Sequence, residues 1–116
     1  MSSKKNNLNS KDHKYMNLAI NLAKDRIGLT GLNPSVGCLI VKNDEIISTG
    51  QTGLNGRPHA EYNAIKKKKK KIYGSTLYAT MEPCTHQGLT PPCTSQILKS
   101  KIKKVIYAIE DIDYRT

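Results

Sequence analysis

Four side chains of this 116-residue chain have the types and spacing for chemistry at a metal: His59, Glu61, Cys84 and Cys93. An imidazole and two thiolates are good zinc ligands. A catalytic zinc site takes three protein ligands and keeps a fourth position for water, whereas a structural site closes all four. Glu61, two residues after His59, is placed to act as a proton carrier beside such a water without binding the metal. His86 stands between the cysteines and, as a fourth ligand, would close the site into a structural one. The bland alternative is a surface histidine and two buried thiols. A disulfide between Cys84 and Cys93 is the weakest reading, because three cysteines are an odd count and nothing near Met1 resembles a secretory signal.

The elements that must position these residues follow from periodicity and turn chemistry. Residues 1–11 are polar and aperiodic and are expected to be disordered, with a domain from 12 to 116. Tyr15, Met16, Ala19, Ile20, Leu22, Ala23 and Ile27 recur at helical spacing, with Ser10 or Asp12 as the cap and Gly28 and Gly31 at the exit. Val36 to Lys42 and the run from Ile46 to Thr49, separated by a turn-like Asn-Asp-Glu, predict a β-hairpin with a buried first strand. Cys38 lies inside that strand and reads as a structural thiol. A glycine-rich loop then leads to Pro58, suited to a first helical turn, and a helix beginning at or beside His59. A strand from Ser75 to Thr80, a helix from Pro92 to about Ser100 and a strand over "KKVIYAI" form a crossover unit with a parallel pair. The class is α/β, with helices on a mixed sheet.

Composition bounds the rest. With 37% hydrophobic residues, no Phe, no Trp and six Tyr, one lean core of Ile, Leu, Val, Ala and Tyr is the expectation. No membrane-length apolar stretch occurs, and a cytoplasmic location is expected. Six of the ten net positive charges come from the run Lys66 to Lys71, which reads as a solvated helix end. Nucleic acid is therefore a rival partner, not the expected one.

H-x-E followed by P-C-x-x-C marks zinc deaminases. Here "HAE" and "PC" are present, but the second cysteine follows after eight residues instead of two. That spacing, within "EPCTHQGLTPPC", resembles the deaminase domain of the bacterial bifunctional riboflavin-biosynthesis deaminase/reductase. "TGLNPSVGCLIV", "GRPHAE", "GSTLYATMEPC" and "VIYAIED" extend the resemblance from Tyr15 to Asp111.

The resemblance implies a three-layer α/β/α cytidine-deaminase-like sandwich that ends short of the family's last strand and helix and lacks its NADPH-dependent reductase domain. It implies hydrolytic deamination of 2,5-diamino-6-(ribosylamino)pyrimidin-4-one 5′-phosphate to the uracil form by zinc-activated water. Zn2+ would be held by His59, Cys84 and Cys93, and Glu61 would shuttle the proton. Asn33 would contact the pyrimidine, and the loop from Gly88 to Thr90 the phosphate, with His86, Leu89, Thr90 and Thr52 lining the pocket. Family members are oligomeric, so a homo-oligomer is expected. Two positions depart from the family: Leu89 stands where Lys or Arg is usual, and Thr52 where His is common. The alternatives are another zinc nucleobase or nucleotide deaminase, a catalytically weakened paralogue, or a basic zinc module binding RNA.

Overall fold

A computed structural model describes residues 2–4, 9–67, 72–81, 97 and 101–109. The elements are β1 (Ser2–Lys4), α1 (Ser10–Lys24), β2 (Gly37–Lys42), β3 (Glu45–Gln51), a 3-10 turn (Leu54–Gly56), α2 (Ala60–Lys67), β4 (Thr76–Met81) and β5 (Lys104–Ile109). They build a five-stranded mixed sheet in the order β1-β5-β4-β2-β3. β2 pairs antiparallel with both β3 and β4, while β4 and β5 are parallel, as the crossover pattern predicts.

Side-chain alternation along the strands sorts the core into two clusters, one per face. Cys38, Ile40, Leu77, Ala79 and Val105 pack with Ala60, Ala64 and Ile65 of α2. Leu39, Val41, Tyr78 and Ile106 pack with Tyr15, Met16 and Ala19 of α1. The three layers follow from this division. Ile97, within the helix predicted from Pro92, is helical and fully buried in the α2 cluster.

The hairpin turns at Asn43 and Asp44, both at positive φ, a left-handed geometry that Asn and Asp tolerate and that matches strand twist. The turn is tied to α1: Lys11 Nζ contacts Asp44 Oδ2 at 2.9 Å, and the Tyr15 hydroxyl donates to the Asp44 carbonyl at 3.1 Å.

Several boundaries differ from the expectation. The cap of α1 is Asn9, neither Ser10 nor Asp12: Asn9 Oδ1 accepts from the Asp12 amide at 2.9 Å, and Asp12 Oδ2 accepts from the Asn9 amide at 3.2 Å. Asp12 also accepts from the Tyr78 hydroxyl at 2.5 Å, locking the helix start onto β4. Burial is the main influence raising the Tyr78 hydroxyl's pKa, with the Asp12 bond second. Within the span 1–11, Asn9 to Lys11 belong to the cap and helix and Ser2–Lys4 pair in parallel with β5. An open strand edge offers unpaired amides and carbonyls that such a segment can satisfy. Ile27 falls beyond α1 and is 68% exposed, so the apolar face ends earlier than its spacing implies.

At Gly50 the β3 backbone meets α2 directly. An added Cβ would lie 2.1 Å from the Ala60 carbonyl oxygen and 2.8 Å from the Ala64 nitrogen. Gly50→Ala therefore has to push α2 off the sheet, and we expect a loss of about 2–3 kcal/mol in urea unfolding. An unchanged midpoint would show that the contact is slack.

Candidate active site

The site is built where the end of β3 passes into α2. His59 occupies the N-cap position, its carbonyl accepting from the Asn63 amide at 3.0 Å. Pro58 thus precedes the helix rather than starting its first turn. Asn63, one turn on, donates through Nδ2 to the Gln51 carbonyl at 2.8 Å and to the Pro58 carbonyl at 3.2 Å. The Gly53 amide also donates to the Pro58 carbonyl, at 2.8 Å. The backbone entering His59 is thereby fastened to β3 on one side and to the connecting loop on the other.

Glu61 follows in the first turn of α2 and is only 4% exposed. Its surroundings register on Cys38, which is fully buried in β2 beneath α2. Burial pushes the Cys38 thiol well above its usual range, and the Glu61 carboxylate adds to the shift. Cys38 is a free cysteine held as a core thiol, in the part expected of it.

Asn33 is set by a second loop. Its Nδ2 donates to the Gly56 carbonyl at 3.0 Å, which fixes the orientation of the amide. Gly56 has φ +98°, and a Cβ there would lie 2.6 Å from Asn33 Nδ2, so this contact requires glycine. The Thr30 hydroxyl donates to the Asn33 carbonyl at 2.6 Å.

Thr52, expected from the resemblance to line the pocket, is bonded to backbone on both sides. It is 1% exposed, its hydroxyl accepts from the Val36 amide at 2.8 Å, and it donates to the Pro34 carbonyl at 3.2 Å. A buried hydroxyl satisfied by backbone on both sides holds the loop that presents Asn33. Asn63, Thr30 and Gly56 are supporting residues that motif reading passed over. Their only sequence signal is their type, since Asn, Thr and Gly are common at caps and turns.

Of the expected metal ligands, His59 lies among the described residues, whereas Cys84 and Cys93 lie outside them, as do His86, Leu89 and Thr90. The described residues hold no complete metal-binding group of three. The donor chemistry nevertheless fits zinc: a histidine anchored at a helix start, completed in sequence by two cysteines, with a carboxylate close by that is not needed as a ligand.

Comparison with known proteins sharpens what this arrangement is. Residues 9–109 match the family described as the cytidine and deoxycytidylate deaminase zinc-binding region. The chain is 46% identical over 101 residues to the diaminohydroxyphosphoribosylamino-pyrimidine deaminase of Buchnera aphidicola, covering 87% of this chain and 69% of that protein. It is 49% identical over 100 residues to the riboflavin biosynthesis protein RibD of Aquifex aeolicus, covering 86% of this chain but only 28% of the relative's length. Among solved structures, RibD of Acinetobacter baumannii superposes with a TM-score of 0.82 at 43% identity, over 85% of this chain and 28% of that one. The deoxycytidylate deaminase of cyanophage S-TIM5 superposes with a TM-score of 0.72 at 27% identity, over 93% of this chain and 90% of that one.

Proposed function

The chain belongs to the cytidine and deoxycytidylate deaminase zinc-binding family, and from that premise we propose that it deaminates the diaminopyrimidinone ribotide of riboflavin biosynthesis. The reaction is hydrolytic: water adds at C2 of 2,5-diamino-6-(ribosylamino)pyrimidin-4-one 5′-phosphate, ammonia leaves, and the 5-amino-uracil form remains. The observation that carries this reading is the 46% identity to a deaminase of the same named specificity, across 69% of its length.

The residues divide the work. His59, Cys84 and Cys93 would hold zinc, which when bound supplies an activated water as nucleophile. Glu61 takes one proton from the attacking water and passes it to the ring nitrogen beside C2, then takes the remaining hydroxyl proton at C2 and delivers it to the departing amine as the carbonyl forms. Its burial keeps bulk water from competing for that proton. Asn33 accepts from the pyrimidine through Oδ1, its Nδ2 being held by Gly56. Thr52 keeps the Asn33 loop in place, and by the resemblance the loop from Gly88 to Thr90 would face the phosphate, with His86 as a further substrate contact. The working form is a homo-oligomer in the cytoplasm. No helix among the described residues is long and apolar enough to cross a membrane. NADPH has no part in this step.

Ammonia release from the ribotide, run beside cytidine, deoxycytidylate and guanine, tests the substrate. Preferential turnover of the ribotide is expected. Preference for any of the other three would overturn the substrate assignment and leave the deaminase chemistry standing.

A further inference from the structure

We propose that Arg57 is the cation that receives the substrate's 5′-phosphate, an assignment that deepens the ribotide reading and rests on it. A phosphate dianion in a recognition site calls for a positive partner, and a guanidinium can meet two of its oxygens at once. Leu89 supplies no charge. Across the whole sequence, Arg57 is the single Lys or Arg within two positions of any candidate site residue.

Its setting suits the task. Arg57 lies between Gly56, whose carbonyl holds Asn33, and Pro58, whose carbonyl is held by Gly53 and Asn63. The backbone on both sides is therefore fastened, in extended form at φ −142° and ψ 147°. The residue is exposed, and among the described residues its guanidinium makes no hydrogen bond or ion pair. Three other cations of the described residues are engaged. Arg26 donates to the Gln51 side chain, Lys67 donates to the Thr49 carbonyl, and Lys66 lies over the Tyr62 ring. Arg57 thus presents an exposed positive charge in the segment that joins Gly56, which holds Asn33, to His59, two residues away.

Titration with ribose 5-phosphate, followed by NMR, tests this without requiring turnover. Arg57→Ala should weaken binding by about tenfold or more. Arg57→Lys should recover part of it, keeping charge but losing the fork. In turnover, Arg57→Ala should raise KM for the ribotide by a similar factor, leave kcat near wild type, and leave KM for the dephosphorylated riboside unchanged. Because the side chain is exposed, the melting temperature should not move. Equal ribose 5-phosphate affinity in wild type and Arg57→Ala, or no measurable binding by the wild type, would overturn the proposal. A wild type that binds ribose 5-phosphate through Arg57 but releases no ammonia from the ribotide would instead overturn the substrate reading.

Discussion

Glu61→Gln should lower kcat/KM for deamination by about 10²- to 10⁴-fold while leaving zinc content and fold intact. Gln keeps the size and one acceptor of the buried side chain but cannot hold and return a proton. Because Glu61 is 4% exposed in the first turn of α2, a smaller residue would open a cavity and confuse a stability loss with a catalytic one. Gln avoids this. The same variant separates enzyme from scaffold, since a zinc module that binds RNA has no use for the carboxylate. Ammonia release with the ribotide, zinc by mass spectrometry and the melting temperature are the three measurements. An unchanged rate would remove Glu61 from the proton path.

The second large effect concerns the metal. His59→Ala, Cys84→Ala and Cys93→Ala should each lower zinc affinity by more than about a hundredfold, beyond the loss typical of an outer-shell partner, and abolish turnover. Cys38→Ala should retain zinc, because that thiol is fully buried in β2 and its burial disfavours the thiolate. His86→Ala should retain zinc as well. If it loses the metal as completely as His59→Ala, the site has four protein ligands and is structural. The three cysteines of one chain are thus expected to split two to one, a pattern that a general loss of stability would not produce.

The layout of the site was legible in the sequence to differing depths. The motif residues His59 and Glu61 could be placed at a helix start because Pro58 and the following apolar spacing mark one. The α/β class and the parallel β4–β5 pair followed from a strand, helix, strand pattern. Periodicity does not show which side chain reaches which amide. Asn9, not Ser10 or Asp12, caps α1 because its carboxamide reaches the Asp12 amide, a distinction among three adjacent polar residues that all favour caps. The strand pairing of Ser2–Lys4 with β5 is long-range and too short to leave a pattern. The bonds of the Thr52 hydroxyl to Pro34 and Val36 could not be read from the sequence, because their approach depends on how two loops fold together. The tethers from Asn63 to Gln51 and from Asn33 to Gly56 are of the same kind.

The central claim is hydrolysis of the C2–amine bond of the ribotide by this zinc site. It is tested most directly by turnover of the zinc-loaded protein in ¹⁸O-labelled water, with ammonia and the pyrimidine product counted together. The account predicts one ammonia per ribotide consumed and one ¹⁸O in the new C2 carbonyl, both lost in Glu61→Gln. Ribotide left intact by zinc-loaded wild-type protein, or product formed without ¹⁸O at C2, would contradict it.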